Sequence, residues 1–155
     1  VEVAALFGTD SRLRFAPKFG VSRWVDFHPD ELALFRKGTL THNHPEGSCL
    51  SDADLSLAAE FDLRAIRAVG KFGTFEAVRP IQGWPDAETV QISGELAFNL
   101  ADAESYEEFL RDRRSAKVRS DEELDRRWME LTLKYMQQQM ALIGVTLRRV
   151  WIETD

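Results

Sequence analysis

The period of the apolar positions shifts along this 155-residue chain, and the shifts divide it into elements. Val21-Ser22-Arg23-Trp24-Val25-Asp26-Phe27 alternates, the pattern of a half-buried strand. His28 to Gly38 reads as a short surface helix, with Pro29 in its first turn and Gly38 as its stop. Thr39 to His44 is read as extended and ended by Pro45, after which Ser51 to Ala59 reads as a helix with Ser51 as N-cap. Leu63 to Val69 and Thr74 to Arg79 flank Gly70-Lys71-Phe72-Gly73, which predicts a hairpin. Gln82-Gly83-Trp84-Pro85 is a break that either lies along a substrate groove or closes the core, the commoner part for a lone Trp, and Ala87 to Ile92 reads as a further strand.

The last third changes character. Glu104 to about Lys117 is a charged helix, and Ser120-Asp121-Glu122-Glu123 is a capping box that opens a longer one. Leu124, Trp128, Leu131 and Tyr135 recur on one face of that helix, with Met129, Leu133, Met136 and Met140 beside them. A stripe that wide predicts a core-facing side, packed on the sheet through Trp128 and Leu131. Methionines also adapt to varied partners, so a groove for another helix is the competing reading. Gly144 stops the helix and Val145 to Ile152 reads as a final strand. The fold class is therefore α+β, with a C-terminal helix pair and a closing strand.

Two of the three histidines, His42 and His44, lie two apart on the predicted strand, with Asp54 ten residues further on. Residues i and i+2 of a strand share a face, so both imidazoles converge while Asn43 faces away. Asp54 falls in the first turn of the next helix, where the exposed backbone N–H groups favour a carboxylate. Two imidazoles and one carboxylate leave a fourth tetrahedral position open, which is the pattern of a catalytic rather than a structural zinc.

Composition narrows the class without choosing the chemistry. The 44% hydrophobic and 30% charged fractions are ordinary for a soluble globular domain. A chain of this length buries roughly 70% of its unfolded surface, enough for one core. No apolar run is long enough to span a bilayer, and no N-terminal pattern resembles a signal peptide, so no membrane partner is expected. The single cysteine, Cys49, excludes an intrachain disulfide and points to a reducing, cytoplasmic setting. A net charge of −6 is a poor footprint for binding phosphates. The basic run Arg111 to Arg119 has acidic residues on both sides and reads as a solvated connection between helices, so nucleic acid is not the expected partner.

The run His42-Asn43-His44-Pro45, a loop, then Ser51-Asp52-Ala53-Asp54 resembles the JAMM/MPN+ metallopeptidase family. That family's pattern is His-x-His-Pro, a loop, Ser-x-x-Asp and a separate upstream glutamate. The wording His-Asn-His-Pro-x-Gly is closer to the prokaryotic and phage-encoded branch, and to RadC-type domains, than to the His-Ser-His-Pro of eukaryotic isopeptidases. The loop is slightly shorter than in many members. The resemblance implies a JAMM-like (cytidine-deaminase-like) mixed sheet flanked by helices. It also implies one Zn²⁺ on His42, His44 and Asp54, with Ser51 helping to hold a tetrahedral oxyanion.

The family's water-activating glutamate lies on a strand upstream of the histidines, and the resemblance carries that role to Glu2. Glu2 to Gly8 followed by Leu13 to Phe15 is similar to the family's strand, turn and strand after the glutamate. Glu31 is the rival, read as a solvated helical residue. The implied reaction is hydrolysis of an amide, in a peptide or in an isopeptide link to a ubiquitin-like protein. The insertions that position ubiquitin in eukaryotic relatives are not recognisable here. A strand and a helix usually precede the glutamate in the family, whereas only Val1 does here. Residues 1–155 are thus expected to be one domain cut from a longer parent polypeptide, or a branch without the leading elements.

Other readings of the same residues are poorer. A nucleophilic Cys49 needs a base and an orienting group, and it leaves Ser51 and Asp54 without a part. His28, before Pro29, reads as a helix-entry surface residue and not a ligand. The contiguous letters His-Asn-His do not make an HNH nuclease, whose named residues are spread over a finger. A non-catalytic scaffold of the same family usually loses the ligands that this chain keeps, and a RadC-like nucleic-acid role is opposed by the acidic balance.

Overall fold

The computed structural model describes residues 1–21 and 25–150. Among them the elements run β1 (Val3–Phe7), β2 (Lys18–Phe19), α1 (Pro29–Leu32), β3 (Thr39–His44), α2 (Asp52–Glu60), β4 (Ala65–Gly70), β5 (Gly73–Val78), α3 (Ala87–Arg114), α4 (Asp121–Leu142) and β6 (Leu147–Val150). The strands make one mixed six-stranded sheet in the order β2-β1-β3-β4-β5-β6. β3 and β4 are parallel and joined through α2, while every other neighbouring pair is antiparallel. The architecture is α+β, as the periodicity indicates.

Register decides what each face carries. Ala4 pairs with His42, Leu6 with Leu40, Ile66 with Leu40 and Ala77, and Ala68 with His42 and Phe75. Because side chains alternate across a strand, these residues form one row on one face. Ala4, Leu6, Leu40, Ile66, Ala68, Phe75 and Ala77 pack there with Leu55 and Ala58 of α2, Val90 and Ala97 of α3, and Met129, Met136 and Met140 of α4. His42 and His44 continue this core-facing row to the end of β3, where the apolar filling stops.

Two close approaches fix the ends of β3 and α2. A Cβ on Gly70 would lie 3.0 Å from the Cα of Gly47 and 3.2 Å from the carbonyl oxygen of His44, so the turn after β3 rests on the β4–β5 hairpin only because both are glycine. Gly47 also has a φ of 83°, a left-handed conformation that glycine adopts without strain. A Cβ on Gly94 of α3 would meet the Cβ of Asp52 at 2.5 Å. The small residue therefore lets the first turn of α2, which bears Asp54, seat against α3.

Several predicted elements differ from the fold. Ala87 to Ile92 is not a strand but the start of the 28-residue α3, capped by the Asp86 side chain, which accepts from the Thr89 N–H at 2.8 Å. Its buried face is Val90, Gly94, Ala97 and Ala101, spaced four, three and four apart. Small residues carry that face, so its helical period is faint in a hydrophobic pattern, while exposed Ile92 imitates strand alternation. The helix read from Glu104 to Lys117 is the second half of the same α3. The helix read from His28 to Gly38 shrinks to α1, because Phe35 is drawn fully into the core and the chain turns to place it.

Leu13 makes a single bridge to Phe7, and the strand beside β1 is Lys18–Phe19 instead. Pro17, lacking an N–H, cannot extend a ladder back toward Leu13. The strand expected from Val21 to Phe27 falls partly on residues 22–24, outside the described residues, and residues 25–27 have no regular structure. Likewise, the end of the strand expected over Val145 to Ile152 lies outside the described residues, and β6 is its described part. Trp128 does not meet the sheet: its ring stacks on Phe98 of α3 with centroids 6.1 Å apart, and its indole N–H donates to Asp102. Trp84 does close the core, donating to the Leu63 carbonyl at 2.7 Å. No helix among the described residues is long and apolar enough to cross a membrane.

Candidate metal centre

The strand and the capped helix bring the three predicted ligands to one point. His42 Nε2 lies 2.9 Å from His44 Nε2 and 3.0 Å from Asp54 Oδ1, and His44 Nε2 lies 3.4 Å from Asp54 Oδ2. For zinc bond lengths of about 2.0–2.1 Å, two donors on a tetrahedron stand roughly 3.3 Å apart. These separations are close to the edge length of such a coordination shell, with the two histidines facing different oxygens of Asp54, and two imidazole nitrogens with one carboxylate are a donor set that suits zinc.

Each ligand has its own support. Asp54 Oδ2 accepts from the backbone N–H of Ser51 at 2.7 Å and from its hydroxyl at 2.8 Å, while Ser51 Oγ accepts from the Asp54 N–H. The N-cap of α2 and the orientation of the carboxylate are therefore one structure. His44 Nδ1 faces the Ser48 carbonyl at 3.2 Å and the Ser48 hydroxyl at 3.0 Å. A proton on Nδ1 donated to that carbonyl leaves the Nε2 lone pair free for a metal. His42 Nδ1 is buried and has no hydrogen-bond partner among the described residues, so the polar contacts of its ring run through Nε2 to Asp54 and His44.

The electrostatics are those of a condensed charge cluster. Burial opposes the ionised form of Asp54, but the charge of His42 and the hydrogen bonds from His42 and His44 outweigh it and hold the carboxyl well below the usual carboxylate range. Burial likewise opposes a charged His44, yet the hydrogen bond and charge of Asp54 prevail, with help from the Ser48 carbonyl and the charge of Glu2, and its pKa is raised. A dication in this cluster would compete with a proton for His44.

The cluster forms part of the wall of a cavity of about 530 Å³. Ala4, Val25, Phe27, Leu40 and Leu57 give it apolar sides, and Glu2 and Ser51 share it with the three ligands. Glu2 is buried, at 9% exposure, yet its carboxylate makes no hydrogen bond to a described residue.

All five predicted site residues are brought together, and the rivals are placed elsewhere. Glu31 is absent from the cavity wall: it binds Lys18 Nζ at 2.8 Å and closes the capping box of α1 by accepting from the His28 N–H. His28 caps that helix and is exposed. Cys49 is buried beside the cluster, and burial followed by the charge of Asp54 pushes its thiol up to about 12, so it is held as an inert thiol. Ser48 and the walls Val25 and Phe27 were not singled out from sequence. For Ser48 the i+4 spacing from His44 across a glycine turn is the available signal; Val25 and Phe27 have none. Comparison of the chain with protein-family models, curated proteins and solved structures finds no match.

Proposed function

We propose that this domain is a zinc-dependent amide hydrolase of the JAMM type, acting on a peptide or isopeptide bond through an activated water. The observation that carries the reading is the meeting of His42, His44 and Asp54 donor atoms in a cavity that also holds the buried carboxylate of Glu2. Zinc bound there supplies Lewis acidity and lowers the pKa of a water toward ~7.

The chain's own residues then divide the proton work. Glu2 takes the proton of the attacking water and returns it to the leaving amine. Ser51 offers its hydroxyl to the developing oxyanion. In the resting structure that proton is given to Asp54, so the hydroxyl must turn, and the backbone N–H of Ser51 keeps the carboxylate in place meanwhile. The apolar sides lower the polarity beside the centre, which strengthens each charged interaction there. A peptide or ubiquitin-like chain is the substrate class that this chemistry fits.

The test is a zinc assay paired with hydrolysis of a mixed peptide library. Glu2→Gln should keep one zinc per chain and lose roughly 10²–10⁴-fold in rate, the worth of a positioned proton carrier. Glu31→Gln should change neither. A wild-type protein without zinc, or a Glu2→Gln protein as active as wild type, would overturn the proposal.

A further inference from the structure

Glu2 lies one residue before the first residue of β1, where the backbone ladder to β3 has ended. The last paired position is Ala4 opposite His42. One step further, Val3 would face Asn43 and its N–H would need another partner. It finds one in a side chain: the Val3 N–H donates to Asn43 Oδ1 at 2.5 Å, and Asn43 Nδ2 donates to the Val1 carbonyl at 3.3 Å. The amide of Asn43 therefore grips the backbone on both sides of Glu2. The opposite edge of the same residue is held as well, since the Glu2 N–H donates to the Val21 carbonyl at 3.2 Å and its own carbonyl accepts from Gly20 at 2.9 Å.

These contacts matter because they fix the backbone that carries Glu2. Its carboxylate is buried in the cavity wall and makes no hydrogen bond to a described residue, so its direction follows from the backbone beneath it. Asn43 sits between the two histidine ligands on β3, with its side chain on the opposite face of the strand. One residue thus ties the strand that presents the imidazoles to the segment that presents the glutamate.

We propose that Asn43 is a positioning residue that sets the distance between Glu2 and the His42–His44–Asp54 centre. The inference rests on the catalytic reading of Glu2 and is tested by a readout that does not need it. In wild-type protein the Val3 amide proton should exchange slowly by NMR, and in Asn43→Ala it should exchange at least tenfold faster, with zinc content unchanged. Hydrolysis should fall roughly 10- to 100-fold in kcat with little change in KM, the scale of a misplaced catalytic group. In the Glu2→Gln background Asn43→Ala should add almost nothing, because a residue acting through Glu2 has no effect once that carboxylate is gone. Asn43→Asp, which keeps the acceptor for Val3, should recover part of the rate. A Val3 amide equally protected in Asn43→Ala, or an equal loss of rate with and without Glu2, overturns the proposal. Should zinc be absent or Glu2→Gln remain active, the hydrolase reading fails instead, and exchange at Val3 still decides the clamp.

Discussion

Asp54 and Glu76 are both carboxylates gripped by two nitrogenous side chains, one on each face of the same sheet. Asp54 meets the imidazoles of His42 and His44. Glu76, only 3% exposed, lies between Arg67 and Arg148, which stand abreast of it on β4 and β6. Burial opposes the charge of Glu76, but the hydrogen bonds from Arg148 and Arg67 outweigh it and lower its pKa.

The difference lies in what the partners can give up. A guanidinium has no lone pair to offer and keeps its proton, so the Glu76 trio is complete as it stands. An imidazole can lose its proton and present a lone pair, and here two imidazole Nε2 atoms face one point on a cavity wall. Similar distances therefore yield a structural clasp on one face and a candidate metal centre on the other.

The largest effect expected from this contrast is in zinc content. His42→Ala, His44→Ala and Asp54→Ala should each drop the protein from one zinc per chain to nearly none. Glu76→Ala should keep its zinc and lose about 1–3 kcal/mol of stability, below the full value of a broken buried pair because half-exposed Arg67 and Arg148 can turn to water. Equal zinc in wild type and His44→Ala would erase the distinction.

A pH series sharpens it. In the metal-free protein the raised pKa of His44 contributes stability that is full below its unfolded value of 6.5 and is lost as pH rises through the native pKa. The depressed pKa of Asp54 contributes stability that is present above 3.8 and is lost as pH falls through its lower native value. Metal-free protein should therefore be most stable in mild acid. Zinc must displace the His44 proton, so its affinity should fall by about tenfold per pH unit below that pKa, and the stabilisation it brings should grow from about pH 6 to about pH 8. The contribution of Glu76, present above 4.5 and lost in acid, should stay flat across that range. A zinc-induced shift in Tm that does not change with pH would contradict the assignment of His44.

The smallest effect concerns support behind the ligand. Ser48→Ala removes the hydroxyl at His44 Nδ1 but leaves the carbonyl, so zinc affinity should weaken by less than about tenfold, under the roughly 10–100-fold typical of losing every hydrogen-bond partner behind a ligand. Calorimetric titration of zinc reads this directly, and a loss of binding as complete as that of His44→Ala would make Ser48 a ligand rather than a support.

Much of the centre was legible in the sequence because its geometry is local. His42 and His44 share a face through the two-residue period of a strand, and Asp54 is fixed by a capping box with Ser51, three residues away. Where local period misled, small residues or long-range pulls were responsible. The buried face of α3 is built from Val90, Gly94, Ala97 and Ala101, which carry too little apolar weight to announce a helix. Phe35 breaks the expected surface helix by packing into the core, against Phe27 and Phe61. The stripe on α4 was visible, but which of its members meet α3 and which meet the sheet was not.

By itself the sequence determined the candidate His42–His44–Asp54 triad, the capped helix that aims Asp54, the β4–β5 hairpin and the α+β class, because each follows from spacing within one element or across one turn. Only the tertiary structure decided that β1 lies between β2 and β3, and with it that Glu2 enters the cavity of His42 and His44 some forty residues away in the chain. It also decided that Asn43 grips both sides of Glu2, and that Arg67, Glu76 and Arg148 meet across three strands. The physical reason is that a side-chain period fixes which way a residue faces, whereas the order of strands in a sheet fixes whom it meets, and that order is settled by packing summed over the whole core.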